Sequence, residues 1–213
     1  MTMFIQQHYY YHLALAGASL ASSLLLSPLL ASAVSDYFTL ENAKVQVDES
    51  TVDARLETSG IIPQDGQSAY GYGILTGAGN EGIIVSTTHA GVLDSELQRD
   101  ASDPVWHNHF VKLDKNVSGR CGDNLEVVDI TMESPGEIQV RESRVVLDDI
   151  PFLLEGTSAM TKDPLTLAPG ASPQQIVSFA MDLKFDGGTL KAVCITNITP
   201  AEDADIEREQ EGR

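Results

Sequence analysis

Three of the five histidines lie within one stretch of 21 residues, at His89, His107 and His109. In the run PVWHNHFVKL, alternate residues of a strand share one face, so His107 and His109 would point the same way. The preceding run, GIIVSTTH, ends at His89, and a short connection could return the chain to bring His89 beside the pair. Imidazole nitrogens are common ligands of zinc and copper. The spacing therefore predicts a three-histidine site for Zn or Cu.

Acidic residues in the segment between His89 and His107 could complete such a site. Each could act as a fourth ligand or hold an imidazole N–H from behind, and spacing alone does not choose among Asp94, Glu96, Asp100 and Asp103. We expect Asp94 or Asp103 to lie outside the three imidazole ligands and to hold an imidazole N–H. If the site is catalytic, the expected chemistry is metal-assisted activation of water. No motif identifies a catalytic residue.

The same residues allow a second hypothesis without metal. A half-buried strand can carry histidines that hydrogen-bond to backbone or carboxylate groups. The protein would then be a non-catalytic extracellular binding or surface module. Loops such as 155–173 would be displayed to a small molecule, a glycan or a protein.

Short β-type runs separated by Gly, Pro, Asp and Asn dominate residues 34–200. The runs are 43–48, 52–57, 69–76, 82–89, 105–113, 125–132, 137–141, 144–147, 175–185 and 189–198. Helical signal is confined to 94–99, where Ser95 and Gln98 have capping-box spacing. The pattern predicts one all-β domain, an antiparallel β-sandwich or barrel with one short helix.

Two of these runs indicate which faces are buried. In QIVSFAMDLKF the apolar residues alternate from Val177 to Phe185, and the following FDGGTL predicts a tight hairpin turn. In AYGYGIL, Tyr70 and Tyr72 share one face and glycines occupy the other. That arrangement fits either core packing or a shelf for a ligand.

The two ends and the cysteines indicate an exported protein. The first 33 residues contain no Asp, Glu, Lys or Arg and end in Ala31-Ser32-Ala33, which predicts a signal peptide over 1–33. If these residues were retained, they would anchor the protein in a membrane. Export makes a Cys121–Cys194 disulfide the expected state of the two cysteines. Residues 201–213 hold six acidic residues and one large apolar side chain, which predicts a disordered acidic tail.

The charge of the chain excludes some partners. There are 13 Lys and Arg against 31 Asp and Glu, giving a formal net charge of -18. Nucleic acids and anionic membrane surfaces are attracted by basic faces, so neither is an expected partner. A secreted or extracytoplasmic acidic domain fits this composition.

Overall fold

The computed structural model describes residues 36–208. This part of the chain contains thirteen strands and two short 3₁₀ helices, Asp36–Phe38 and Gly79–Glu81. The strands are β1 (Leu40–Val47), β2 (Thr51–Thr58), β3 (Tyr70–Thr76), β4 (Ile83–Thr88), β5 (His107–Lys115), β6 (Leu125–Ile130), β7 (Glu137–Arg141), β8 (Arg144–Pro151), β9 (Leu154–Thr157), β10 (Pro164–Leu167), β11 (Pro173–Asp186), β12 (Thr189–Pro200) and β13 (Ala204–Arg208). The predicted all-β fold is confirmed.

Six strands form a closed barrel in the order β11, β12, β6, β5, β4 and β3, and β3 pairs with β11 to complete the ring. All six neighbouring pairs are antiparallel. The predicted turn between the last two long strands is present. Gly187 and Gly188 connect β11 to β12 with φ angles of 56° and 81°, which residues with a side chain rarely adopt.

A five-stranded sheet, in the order β13, β1, β2, β8 and β7, packs against the outside of this barrel. Buried side chains from both layers form one core, among them Leu40, Val45, Leu56, Tyr70, Tyr72 and Phe110. The hydroxyl groups of Tyr70 and Tyr72 donate to the carbonyls of Pro63 and Tyr37, at 2.6 and 2.8 Å. Because both tyrosines lie in this core, the alternating Gly71 and Gly73 face the barrel lumen.

Strand alternation separates the lumen from the core under the sheet. On β4 and β5, Val85 and Val111 lie in the lumen cluster, whereas Ile84 and Phe110 lie in the core under the sheet. β11 departs from the expected single buried face. Ile176 is also buried, because the sheet covers the outer face of this strand. Phe185, expected to be buried, is 45% exposed.

Two local predictions are wrong. Residues 94–99 form no helix, and 96–97 are only a turn, because the run is too short to add bonded residues after the first turn. Residues 155–173, expected to lack strand structure, contain most of a small antiparallel hairpin. In it, β9 pairs with β10 from Leu154↔Leu167 to Thr157↔Pro164.

The predicted disordered tail also needs correction. Residues 204–208 form β13, which pairs in parallel with β1 and places Ile206 beside Val45. Ile206 packs against the core, and Glu207 pairs with Lys44 at 3.0 Å. An edge strand is held by its backbone ladder, so it needs little apolar surface of its own. The domain therefore extends beyond residue 200.

The remaining predictions about the two ends of the chain lie outside the described residues. They are the signal peptide or anchor over 1–33 and the last part of the tail, 209–213. Among residues 36–208, no helix is long and apolar enough to cross a membrane.

The predicted disulfide is present. Cys121, in the loop between β5 and β6, is bonded to Cys194 in β12, and no described cysteine is free. The bond ties neighbouring strands of the barrel together.

Candidate metal centre

The pairing of β4 with β5 brings the three histidines together. Thr87 is opposite His107 and Val85 is opposite His109, while His89 follows the last residue of β4. The ring centroids of His89 and His107 are 5.1 Å apart, and those of His107 and His109 are 4.7 Å apart. All three residues are at most 2% exposed. The imidazoles of β5 and of the residue that follows β4 thus converge at one end of the lumen.

The carboxylate of Asp94 lies among these rings. Its Oδ2 atom is 3.2 Å from His89 Nε2 and 3.9 Å from His109 Nε2, and its Oδ1 atom is 3.5 Å from His107 Nε2. Potential ligand atoms of His89, Asp94 and His107 lie within 4.8 Å of one another, so this group could hold a metal ion. His109 borders the group through Asp94.

The other acidic candidates have different partners. Asp103 accepts hydrogen bonds from Arg99 Nε at 2.7 Å and from the Arg99 backbone N–H at 3.2 Å. Glu96 accepts from the backbone N–H of Ser134, and Asp100 from Ser102. Of the two aspartates placed around the histidines from sequence, Asp94 is the one in contact with them.

Gln98 holds the turn that carries Asp94, a role that the sequence did not assign to it. Its Oε1 atom accepts from the backbone N–H groups of Asp94 and Ser95, at 3.0 and 3.1 Å. Its Nε2 atom donates to the carbonyls of Val92 and Asp103, at 3.1 and 3.4 Å. The capping-box spacing of Ser95 and Gln98 was the signal for this contact, although it suggested a helix.

Backbone carbonyls fix the tautomers of two rings. His107 Nδ1 lies 2.8 Å from the carbonyl of Val105, and His109 Nδ1 lies 2.7 Å from the carbonyl of Thr131. A carbonyl only accepts, so each Nδ1 carries the proton, and in the neutral ring Nε2 carries a lone pair. Metal-binding histidines are commonly oriented by this kind of bond.

The charge state of the site at neutral pH follows from its burial. Burial lowers the pKa of His107 to about 3, with a further lowering from the charge of His109. Burial likewise lowers the pKa of His109. Burial disfavours the Asp94 anion, but a hydrogen bond to His89, together with the positive charge that the imidazoles acquire in acid, outweighs it and lowers the pKa of Asp94 to about 2. Asp94 is therefore an anion facing neutral rings of His107 and His109.

In this arrangement the Nε2 lone pairs of His107 and His109 face the oxygen atoms of Asp94, so hydrogen-bond acceptors face each other without a donor. In the described part of the chain, the buried atoms without a hydrogen-bond partner include Asp94 Oδ1, His107 Nε2 and His109 Nε2. Leaving such a group unpaired costs roughly 1–3 kcal/mol. A cation bound among them would turn these opposed lone pairs into ligands.

The centre opens onto a cavity in the barrel. A cavity of about 360 Å³ is lined by His89, Asp94 and His109 and by apolar side chains of the lumen cluster, including Val85, Val127 and Phe179. His89 and His109 are therefore buried from bulk solvent but border an internal space.

Comparison with known proteins assigns no family to this site. No family model matches the sequence, and no curated protein or solved structure is detectably similar to it. The chemistry of the site therefore has to be argued from its own residues.

Proposed function

We propose that this protein binds one Zn²⁺ or Cu²⁺ ion through His89, His107, His109 and Asp94, and that it does so outside the cytoplasm. The observation that carries the proposal is the convergence of three Nε2 atoms on the carboxylate of Asp94, whose side chain is 16% exposed. Two of these nitrogens and one carboxylate oxygen have no donor to satisfy them.

The donor set favours these two metals. Imidazole nitrogen suits zinc, copper and other late first-row ions, whereas Ca²⁺ and Mg²⁺ prefer sites made of oxygen atoms. Thiolate-preferring ions have no ligand among the described cysteines, because Cys121 and Cys194 are bonded to each other. Zn²⁺ or Cu²⁺ with nitrogen ligands and one carboxylate is the best chemical fit.

Export from the cytoplasm is supported by two independent features. Residues 1–33 have the composition of a signal peptide. The disulfide belongs to an oxidising compartment. In such a compartment a bound ion at the cavity end would supply a Lewis acid, and activation of water is the chemistry we propose for it.

Metal analysis tests the proposal directly. Protein purified without a metal-binding tag is loaded with Zn²⁺ or Cu²⁺, gel-filtered and measured by elemental analysis. We expect about one ion per chain in the wild type and none in the double variant His107→Ala/His109→Ala, because both remove a nitrogen ligand. A full equivalent of metal in the double variant would overturn the assignment.

A pair of aspartate variants provides the matched control. Asp94→Asn should lower metal affinity by more than the roughly 10–100-fold that is lost when a residue that only orients a ligand is removed. Asp103→Asn makes the same chemical change in the same loop, at a residue bonded to Arg99, and should leave affinity unchanged. Equal affinities in the two variants would contradict a role for Asp94 as a ligand.

A further inference from the structure

The barrel lumen has the properties of a binding site for an aliphatic chain. Its lining is mostly branched aliphatic, with Ile83, Val85, Val111, Leu113 and Val127 on three adjacent strands. Gly73 adds no side chain to this wall, and its missing Cβ faces Val177 and Phe179. A volume of about 360 Å³ falls within the range of roughly 300–1,000 Å³ typical of ligand pockets.

The cavity reaches the surface along an incompletely paired seam. β12 pairs with β6 only at Cys194↔Glu126 and Ile195↔Leu125. Beyond these pairs, side chains of both strands line the cavity, including Ile130 and Leu190. Met160, which is 52% exposed, and the exposed Lys191 line the same cavity, so a chain could enter there.

The end of the lumen beside this opening has the opposite chemistry. The histidines lie at this end because Ile130 pairs with Val111, two residues after His109. His89, Asp94 and His109 line the cavity there, in a wall that is otherwise mostly apolar. A divalent ion bound beside the single Asp94 carboxylate leaves one net positive charge at this end. The ligand that satisfies both ends is an amphiphile with an anionic head group.

We infer that the lumen binds a medium-chain aliphatic carboxylate, with its chain between the strands and its carboxylate directed at the centre of His89, Asp94 and His109. The position of the head group rests on the metal binding proposed above. The burial of the chain does not, because the apolar wall is present with or without the ion. These two parts can therefore be tested separately.

Isothermal titration with matched probes separates them. Straight-chain carboxylates from hexanoate to tetradecanoate, and the alcohols of equal length, are titrated below their micelle concentrations into metal-free protein and into protein loaded with one equivalent of metal. We expect affinity to rise about fourfold per added CH₂ and then to level off when the cavity is filled. Absence of any chain-length dependence, or a rise without a plateau, would overturn the lumen as the site.

The position of the head group is tested by comparing the affinities of carboxylates and alcohols of equal chain length. In metal-free protein the alcohol should bind more tightly than the carboxylate, because Asp94 repels an anion. In metal-loaded protein the order should reverse. An unchanged order in protein shown to hold its ion would overturn the proposed orientation. If no ion binds at all, the metal proposal fails while the chain-length result still decides the lumen.

Variants locate the binding. Val127→Phe fills the lumen and should abolish binding of both series, whereas Val117→Phe makes the same change at a residue that is 63% exposed and should have no effect. Lys191→Met should leave the metal-dependent reversal intact. Loss of the reversal in Lys191→Met would place the head group at Lys191 instead of the metal centre and overturn the orientation. The length series in the wild type keeps the test decisive if Val127→Phe fails to fold.

Discussion

At the scale of single residues, the centre is defined by proton positions as much as by distances. The carbonyls of Val105 and Thr131 accept hydrogen bonds from the Nδ1–H groups of His107 and His109. The Nε2 atoms of these two rings therefore face the Asp94 carboxylate as acceptors. A purely structural histidine cluster would pair its buried polar atoms. Unpaired acceptor atoms grouped around one carboxylate are the arrangement expected of a metal-free cation site.

Acid should therefore destabilise the metal-free protein through His107. Its pKa is lowered from 6.5 to about 3 in the folded state. Between these values the unfolded chain binds the extra proton, so the stability contribution is present above pH 6.5 and is lost as pH falls towards 3. Asp94, whose pKa is lowered to about 2, loses its own contribution only below about pH 4.

The measurement is the free energy of urea unfolding at pH 7 and pH 4, for the wild type and for His107→Asn. Asparagine can keep a donor near the Val105 carbonyl but does not titrate. The wild type should lose about 3 kcal/mol relative to the variant between the two pH values. The ionisable groups outside this cluster are the same in both proteins, so an unchanged difference would mean that the His107 ring is not buried as a neutral group.

At the scale of elements, strand periodicity predicted most of what positions the site. The alternation in PVWHNHFVKL placed His107 and His109 on one face, and the structure keeps them there, with Phe110 turned to the core under the sheet. The sequence could not predict which strands pair across the barrel. Nor could it choose Asp94 from four acidic residues, because that choice depends on the path of the loop. β13 was missed because local apolarity does not report a backbone ladder formed with β1, which lies far away in sequence.

The turn at Asp94 predicts a role for Gln98 beyond stability. Gln98→Ala removes the acceptor for two backbone N–H groups and the donor to two carbonyls. We expect a loss of about 1–3 kcal/mol in unfolding free energy. We also expect weaker metal binding, because Asp94 loses its support.

The control for this variant is Gln64→Ala, an exposed glutamine with one bond to the carbonyl of Val140 at 3.3 Å. It should change unfolding free energy by no more than about 0.5 kcal/mol and leave metal affinity unaltered. Unchanged metal affinity in Gln98→Ala would show that the turn holds Asp94 without the Gln98 side chain.

At the scale of the whole molecule, the main hydrophobic core lies between the sheet and the barrel, whereas the candidate site lies in the barrel lumen. The sheet covers the outer face of the barrel and forms one core with it. The residues of the lumen form a separate cluster that is not part of this core. The disulfide ties β12 to the loop before β6, beside the seam where backbone pairing is shortest. A net charge of -18 surrounds this scaffold, so cations are drawn towards it at long range.

Metal binding should therefore stabilise the whole fold, since the ligands come from β5 and from the connection between β4 and β5. An ion that binds only the folded state adds about 2.7 kcal/mol when its concentration is 100 times Kd. For a domain of this size that corresponds to roughly 5–11 °C in Tm. Thermal unfolding with Zn²⁺, with Cu²⁺ and with excess EDTA measures the shift. The His107→Ala/His109→Ala variant, which keeps the acidic surface, should show none. An identical Tm in metal and in EDTA for the wild type would favour an extracellular binding module whose histidines are structural.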